Sequence, residues 1–146
     1  MKILNSVVVV FSFLICSSVY SQTLTEKQKE KEKNKVEIYS PEEKDNLQMW
    51  FYEKTNELGL SDSVREEYSS IISDNIFDMR RLNDDDSGNT PEELSEKFNK
   101  LVDKTNASVK PLLTEEQYEM HNKNFGKLTK AALKKQEKKS FYSTGF

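Results

Sequence analysis

The chain has 146 residues, a formal net charge of −3 and a single cysteine, Cys16. If the first 21 residues are removed, the remaining 125 contain no cysteine, which excludes a disulfide scaffold and leaves room for one small domain. No Gly-rich phosphate loop, Gly-x-Ser-x-Gly motif or His-Glu-x-x-His motif is present, so we expect neither an enzyme nor a cofactor.

The first 21 residues are typical of a secretory signal peptide. A positive Met1-Lys2 precedes a largely apolar run of 13 residues, Ile3–Ile15, and cleavage is predicted after Ser21. The run is shorter than the roughly 20 residues that span a bilayer, so we expect export without stable membrane insertion. Lipid attachment at Cys16 is the alternative, but a bulky isoleucine stands before it where a small residue is usual.

Residues 22–39 are predicted to form a charged, disordered arm. Between Thr25 and Lys35 there is no apolar residue, so the segment cannot bury enough surface to offset its ordering entropy. A solvated lone helix is the alternative, because Glu and Lys are good helix formers.

A single helical domain is predicted over residues 40–139, and its first helix begins at Ser40. Ser40 can cap the helix, Pro41 suits its first turn and Glu43 completes a capping box. Gly59 ends the helix, because glycine most easily adopts the left-handed conformation. The apolar stripe of this helix is Leu47, Trp50, Phe51 and Leu58. Met49 and Tyr52 lie off the stripe; we favour burial against a neighbouring helix over an exposed contact patch.

Two more amphipathic helices follow, each with apolar residues at helical spacing. The stripe of the second is Val64, Tyr68, Ile71, Ile72, Asn75, Ile76, Met79 and Leu82. The third begins with a capping box at Thr90-Pro91-Glu92-Glu93, and its stripe is Leu94, Phe98, Leu101, Val102, Thr105, Val109 and Leu112. Pro111 is predicted to end this helix and to push Lys110 out of helical geometry. Asp84–Asp86, between the two helices, are interpreted as a solvated loop rather than a divalent-cation site.

The fourth helix is predicted to start at Leu113-Thr114-Glu115-Glu116-Gln117. Thr114 and Gln117 form a capping box, and Leu113 can pack on Tyr118 as a hydrophobic staple. The apolar face of this helix carries Tyr118, His121, Phe125, Leu128 and Ala132. His121 is the one histidine, and its place on that face favours a core histidine over a ligand or a base.

The opposite face of the fourth helix is basic. It carries Lys123, Lys127, Lys130, Lys134 and Lys138. Such a row is either a solvated face or a platform that attracts acidic segments of partners. Charge is also divided along the chain, since residues 61–96 have 11 acids and 3 bases whereas residues 97–146 have 5 acids and 11 bases. The tail over 140–146 contains Phe141, Tyr142 and Phe146 without periodicity.

These patterns predict an all-α fold with four amphipathic helices. The helices form either a small bundle or an open helical-hairpin arrangement that a homodimer would close. Nucleic acid is not an expected partner, because the chain is acidic overall and carries an export signal.

The chain resembles the Spy/CpxP-like, LTXXQ-motif family of periplasmic helical proteins. The similarity consists of the signal peptide, the cysteine-free helical chain and the motif residues Leu113, Thr114 and Gln117. A second copy of the motif would fall near residues 58–64, where Ser61 stands in place of Thr and Val64 in place of Gln. Leu24–Gln28 also match the motif, but no apolar stripe follows them.

The resemblance implies a periplasmic, ATP-independent chaperone-like or envelope-stress protein that binds partly unfolded clients. The alternatives are a small adaptor that docks on one envelope partner, such as a sensor domain, and a metal-responsive family member. The candidate client- or partner-binding residues are Met49, Trp50, Tyr52, Lys123, Lys127, Lys130, Lys134 and Lys138. We predict no catalytic residue and no resident metal site.

Overall fold

The fold is all-α, as the hydrophobic periodicity predicts. The computed structural model describes residues 26–143, with the side chains of 27, 28 and 140–143 left aside. The helices are α1 (Glu26–Lys33), α2 (Pro41–Glu57), α3 (Asp62–Arg81), α4 (Pro91–Val109) and α5 (Glu115–Ser143), with a 3₁₀ turn at Lys110–Leu112. None of the described residues forms a strand, and none of the described helices is long and apolar enough to cross a membrane.

The described chain divides after Glu32 into two units. Seven of the eight residues of α1 belong to the first unit, which carries an ion pair between Lys29 Nζ and Glu26 Oε1 at 2.8 Å. The sequence predicts a disordered arm here, with a solvated lone helix as the alternative. The described part of the arm before Lys33 is helical. The predicted signal peptide with its cleavage site, Cys16 and Phe146 lie outside the described residues. Helix α5 continues to Ser143, so the predicted tail from residue 140 begins inside the helix.

Residues 34–39 form no helix, yet they are hydrogen-bonded to the helical domain. The sequence predicts that this domain begins only at residue 40. The Asn34 carbonyl accepts a hydrogen bond from Asp85 N–H (2.9 Å), and Val36 N–H donates to Asp84 Oδ1 (3.4 Å). The physical reason is composition, because apolar side chains return after the charged run and those of Val36 and Tyr39 are half-buried. This end of the predicted disordered arm therefore belongs to the domain.

Asp84 is the point on the α3–α4 loop that holds this segment. Its side chain is buried, and Arg81 Nε lies 2.5 Å from Asp84 Oδ2. Burial raises the pKa of Asp84, although the guanidinium of Arg81 acts in the opposite direction. The sequence predicts that the whole loop is solvated, and this is confirmed only in part. Asp85 and Asp86 are exposed, but Asp84 is part of the packing.

The predicted helix starts of α2 and α4 are confirmed. Glu43 N–H donates to Ser40 Oγ (3.2 Å) while Ser40 N–H donates to Glu43 Oε2 (2.8 Å). Thr90 and Glu93 make the same reciprocal pair at 3.2 and 2.9 Å. Each box satisfies two N–H groups that a helix start otherwise leaves unpaired.

The end of α4 differs in one detail from the prediction. The α-helix ends at Val109, as expected, but Lys110 keeps right-handed helical dihedrals (φ −51°, ψ −46°). The chain continues through the 3₁₀ turn, and the first extended residue is Leu113 (φ −113°, ψ 146°). The prediction that Pro111 drives Lys110 out of helical geometry is therefore wrong, because a tighter helical turn accommodates the ring.

The core lies where the predicted stripes of α3, α4 and α5 meet. Leu94 and Val109 of α4 have no exposed surface, and Phe98 has 1%. The buried apolar cluster is Leu58, Leu60, Tyr68, Ile72, Met79, Phe98, Val109 and Phe125. Burial of each large side chain in such a cluster contributes about 1.5–3 kcal/mol to folding.

Helix α2 runs antiparallel to α5. Gln117 at the start of α5 bonds to Leu58 just past the end of α2, and Lys135 near the end of α5 pairs with Glu43 at the start of α2 (2.5 Å). Helix α3 runs parallel to α5, because Tyr68 bonds to His121 and Met79 bonds to Gln136 further along both helices. The closest helix packing in the domain is that of α4 against α3 and α5.

Two glycines give a matched test of this backbone. Gly59 has φ +62° after α2, whereas Gly126 lies within α5, and at both positions an added Cβ meets nothing within 4 Å. We expect Gly59→Ala to destabilise the domain by about 1 kcal/mol, because an L side chain is strained in the left-handed region. Gly126→Ala should stabilise it by about 1 kcal/mol through helix propensity. Urea unfolding of both variants measures the difference, and equal midpoints would contradict it.

Candidate functional site

The Leu-Thr-x-x-Gln stretch forms the capped start of α5, as predicted. Gln117 N–H donates to Thr114 Oγ1 (3.3 Å), and Thr114 N–H donates to Gln117 Oε1 (3.0 Å). Leu113 and Tyr118 both pack against the core cluster. Glu115 and Glu116 stand in the first turn, where negative charge is favourable.

Gln117 also has a second role that capping does not require. Its Nε2 donates to the carbonyl oxygen of Leu58 at 2.9 Å, so the start of α5 is joined to the end of α2. The side-chain oxygen of Gln117 therefore caps α5, while its side-chain nitrogen bonds to the end of α2. The sequence marks Leu58 only as the beginning of the imperfect second motif, and this bond across 59 positions was not predicted.

His121 is a core histidine, as predicted, and both of its ring nitrogens are engaged. Nδ1 lies 2.9 Å from Tyr68 Oη on α3, and Nε2 lies 3.0 Å from Asn106 Oδ1 on α4. With Oδ1 as acceptor, Nε2 carries the hydrogen and Nδ1 accepts from the tyrosine hydroxyl. The ring stacks on Phe125 with centroids 5.1 Å apart. One neutral imidazole thus joins three helices.

Burial sets the protonation of this group. His121 is 1% exposed, and desolvation lowers its pKa from 6.5 to about 4. Burial likewise raises the pKa of Tyr68. Both side chains are therefore neutral at pH 7.

Helix α2 presents large apolar side chains to solvent. Met49 is 63% exposed and Tyr52 is 65% exposed, so the prediction that they are buried is wrong. Trp50 is half-buried, and at 100° per residue it lies on the side of Met49 away from Tyr52. The reason is that α2 buries only a narrow strip, centred on Thr55 and followed by Leu58. We call Met49, Trp50 and Tyr52 the α2 apolar patch.

A third exposed apolar side chain was not singled out in the sequence. Phe77 is 59% exposed and lies on the side of α3 opposite Tyr68. The signal was available, because Phe77 falls about 180° from the centre of the predicted α3 stripe.

The lysine row predicted on α5 lies at the surface of the protein. Lys123, Lys127, Lys130, Lys134 and Lys138, which we call the α5 lysine face, are all exposed. No acidic residue occurs between Met120 and Gln136. Within the described chain, no ion pair engages any of the five ammonium groups. The row spans about 22 Å at 1.5 Å per residue.

The exposed acids of α3 lie on another side of the domain from the α5 lysine face. Tyr68 and His121 meet in the core, so the outer faces of α3 and α5 point away from each other. The exposed acids of α3 are Asp62, Glu66, Glu67, Asp74 and Asp78. Helix α2 and the first turns of α5 also carry exposed acids, so the separation of charge concerns α3 and the α5 lysine face.

A groove of about 490 Å³ lies between α3 and α4. Leu82 and Leu101 line it together with Asp78 and four basic side chains, those of Arg81, Lys97, Lys100 and Lys104. None of the five lysines of the α5 lysine face lines it. Among residues 26–143, no group of three or more His, Cys, Asp or Glu side chains is placed to hold a metal ion.

Comparisons with known proteins give no neighbour for this chain. No family model matches the sequence, no curated protein matches it, and no solved structure matches the fold.

The two roles of Gln117 can be separated by mutation. Gln117→Glu keeps an acceptor for Thr114 N–H but places a carboxylate oxygen against the Leu58 carbonyl, which removes a donor and adds repulsion. We expect a loss of about 1–3 kcal/mol in the free energy of unfolding. Thr114→Ala is the matched control for capping alone, with an expected loss of about 1 kcal/mol. If Gln117→Glu were as stable as the natural chain in urea unfolding, the α2–α5 bond would not contribute.

Stability should depend on pH through His121. Its pKa is about 4 in the folded domain and ordinarily 6.5, so the unfolded chain binds the proton more tightly. The stabilisation is complete above pH 6.5 and is lost as the pH falls towards 4, by about 3 kcal/mol in total. Urea unfolding at several pH values, compared with His121→Gln, isolates this contribution because the carboxylates titrate alike in both proteins. Parallel stability curves for the two proteins would contradict the assignment.

Proposed function

We propose that the chain is a periplasmic, ATP-independent chaperone-like protein that binds partly unfolded clients on its helix surfaces. The observation that carries the proposal is the α2 apolar patch. Met49 and Tyr52 are each more than 60% exposed although the same helix has an inward strip that could hold apolar residues. Exposed methionine and aromatic side chains suit binding to many sequences, because they are large and methionine adapts its shape.

The way α2 is held supports this role. Thr55 is the one buried residue within the helix, Phe51 and Leu58 pack in or against the core cluster, and polar contacts from α5 reach Glu43 and Leu58 near its two ends. The helix is thereby attached to the domain without its outer side being covered. A client segment that exposes apolar residues could then pack on Met49, Trp50 and Tyr52.

Charge supplies the second part of the proposal. The α5 lysine face would attract acidic client segments over the distance at which surface charges act, about 8–10 Å at physiological ionic strength. Apolar contacts at α2 would then retain the client, since charge mainly accelerates encounter and apolar burial slows release. The resemblance of Leu113, Thr114 and Gln117 to the Spy/CpxP-like motif agrees with this assignment.

Suppression of client aggregation tests the proposal. The chain from residue 22 onward, mixed in stoichiometric amount with a chemically denatured client, should lower the light scattering that follows dilution. Met49→Ser with Tyr52→Ser should remove most of this protection, because both side chains face solvent and their loss leaves the core intact. No change in scattering with the natural chain would refute the chaperone function.

Phe77→Ser is the matched control for the patch. Phe77 is as exposed as Met49 and Tyr52 but lies on α3, so its removal should leave protection unchanged. Equal loss in both variants would mean that general surface hydrophobicity, and not α2, retains clients. A pull-down that recovers one stoichiometric partner instead of many misfolded ones would favour the adaptor function.

A further inference from the structure

The α5 lysine face has a shape that distinguishes among anionic partners. The five ammonium groups stand on the outer side of a single helix, on the face opposite His121, Phe125 and Gln136 of the core. They form a row about 22 Å long on one face of the helix, and none of them lines the groove between α3 and α4. Such a row of flexible side chains can approach a broad, flat surface along its whole length.

A stable complex with an acidic peptide suits this row less well. Proteins recognise acidic motifs with clusters of arginine, whose planar guanidinium binds a carboxylate through two hydrogen bonds, and α5 contains lysines but no arginine. Long-range attraction of acidic client segments needs no such fixed geometry. A fluid layer of anionic headgroups needs no such preformed geometry, because the headgroups rearrange around each ammonium. We infer that the α5 lysine face docks on the surface of a bilayer rich in anionic phospholipid.

The rest of the charge distribution fits this mode of binding. The acids of α3 lie on the far side of the domain, so docking through α5 points them away from the headgroups. Glu137, which is half-buried, is the one acid within the span of the row from Lys123 to Lys138. This arrangement favours docking through α5 over docking through α3, even though the chain is acidic overall. The α2 apolar patch is a separate surface, so this inference extends beyond client binding and does not rest on it.

The expected strength follows from the number of lysines. Each lysine near an anionic bilayer strengthens binding about fivefold, so removal of three should weaken it about 100-fold. The attraction is screened by salt and should be largely lost between about 50 and about 300 mM. The interaction is peripheral and reversible, because it rests on screened charge.

Vesicle sedimentation tests the inference with the chain from residue 22 onward. We expect binding to vesicles of equal parts phosphatidylglycerol and phosphatidylcholine at low salt, and none to pure phosphatidylcholine. Lys123→Gln, Lys127→Gln and Lys130→Gln together should weaken binding about 100-fold. These side chains are exposed, and circular dichroism verifies that the variant keeps its helices.

The matched control removes the same charge from another helix. Lys97, Lys100 and Lys104 are also exposed, and their replacement by Gln should change vesicle binding far less because they stand on α4. Equal losses in the two triple variants would overturn the inference, as would binding to neutral vesicles. If polyglutamate bound to the lysine face while anionic vesicles did not, the surface would belong to acidic polypeptides. The aggregation assay contains no lipid, so client protection and vesicle binding can fail independently.

Discussion

One buried imidazole sets the relation between three of the helices. His121 on α5 has a partner on α3 at one nitrogen and a partner on α4 at the other, both within 3.0 Å. A buried polar group that loses its partner costs about 1–3 kcal/mol, so a shift of any of these helices by one turn would be unfavourable by that amount twice over. The close-packed apolar side chains around the ring resist the same shift, because a core of this density leaves little room for sliding. The two polar bonds and the apolar packing therefore favour the same register.

Hydrogen bonds from side-chain amides also join the ends of neighbouring helices. Gln117 uses its carbonyl for the start of α5 and its amide for the carbonyl of Leu58 at the end of α2. Gln136 makes a similar bond further along α5, where its Nε2 donates to the Met79 carbonyl at 3.0 Å. Of the two glutamines, only Gln117 uses both its donor and its acceptor, because Gln136 Oε1 is buried without a hydrogen-bond partner among the described residues. The motif at the start of α5 is therefore a junction between two helices as well as a cap.

The difference between what was and was not predictable follows from distance along the chain. Capping at Ser40, Thr90 and Thr114 involves residues three positions apart, and the core stripes need only helical periodicity, so the sequence alone predicts them. The bonds from Gln117 to Leu58 and from Val36 to Asp84 join residues 59 and 48 positions apart, and a single sequence has no signal for such pairs.

The error at α2 has another cause. Periodicity gives the direction of the buried face but not its width, and α2 covers a narrower strip than its apolar content suggests. The sequence favours burial of Met49 and Tyr52, whereas α2 buries only a narrow strip around Thr55 and leaves both side chains exposed. The exposure of the α5 lysines is easier to predict, because a charged side chain on the face opposite a continuous apolar stripe points into solvent. Sequence therefore predicts exposed charge better than exposed apolar surface.

This distinction bears on where function can reside in such a domain. The polar bonds and the core that α3, α4 and α5 share leave little freedom for those helices to move, and their side chains are committed to one packing. Helix α2 contributes few buried groups, and elements with few buried contacts open at the lowest free-energy cost. An outer surface that can adjust, carried by a helix whose ends are held, suits partners of varied shape. The core of α3, α4 and α5 thus fixes where the charged faces lie, whereas α2 carries the exposed apolar side chains of Met49 and Tyr52.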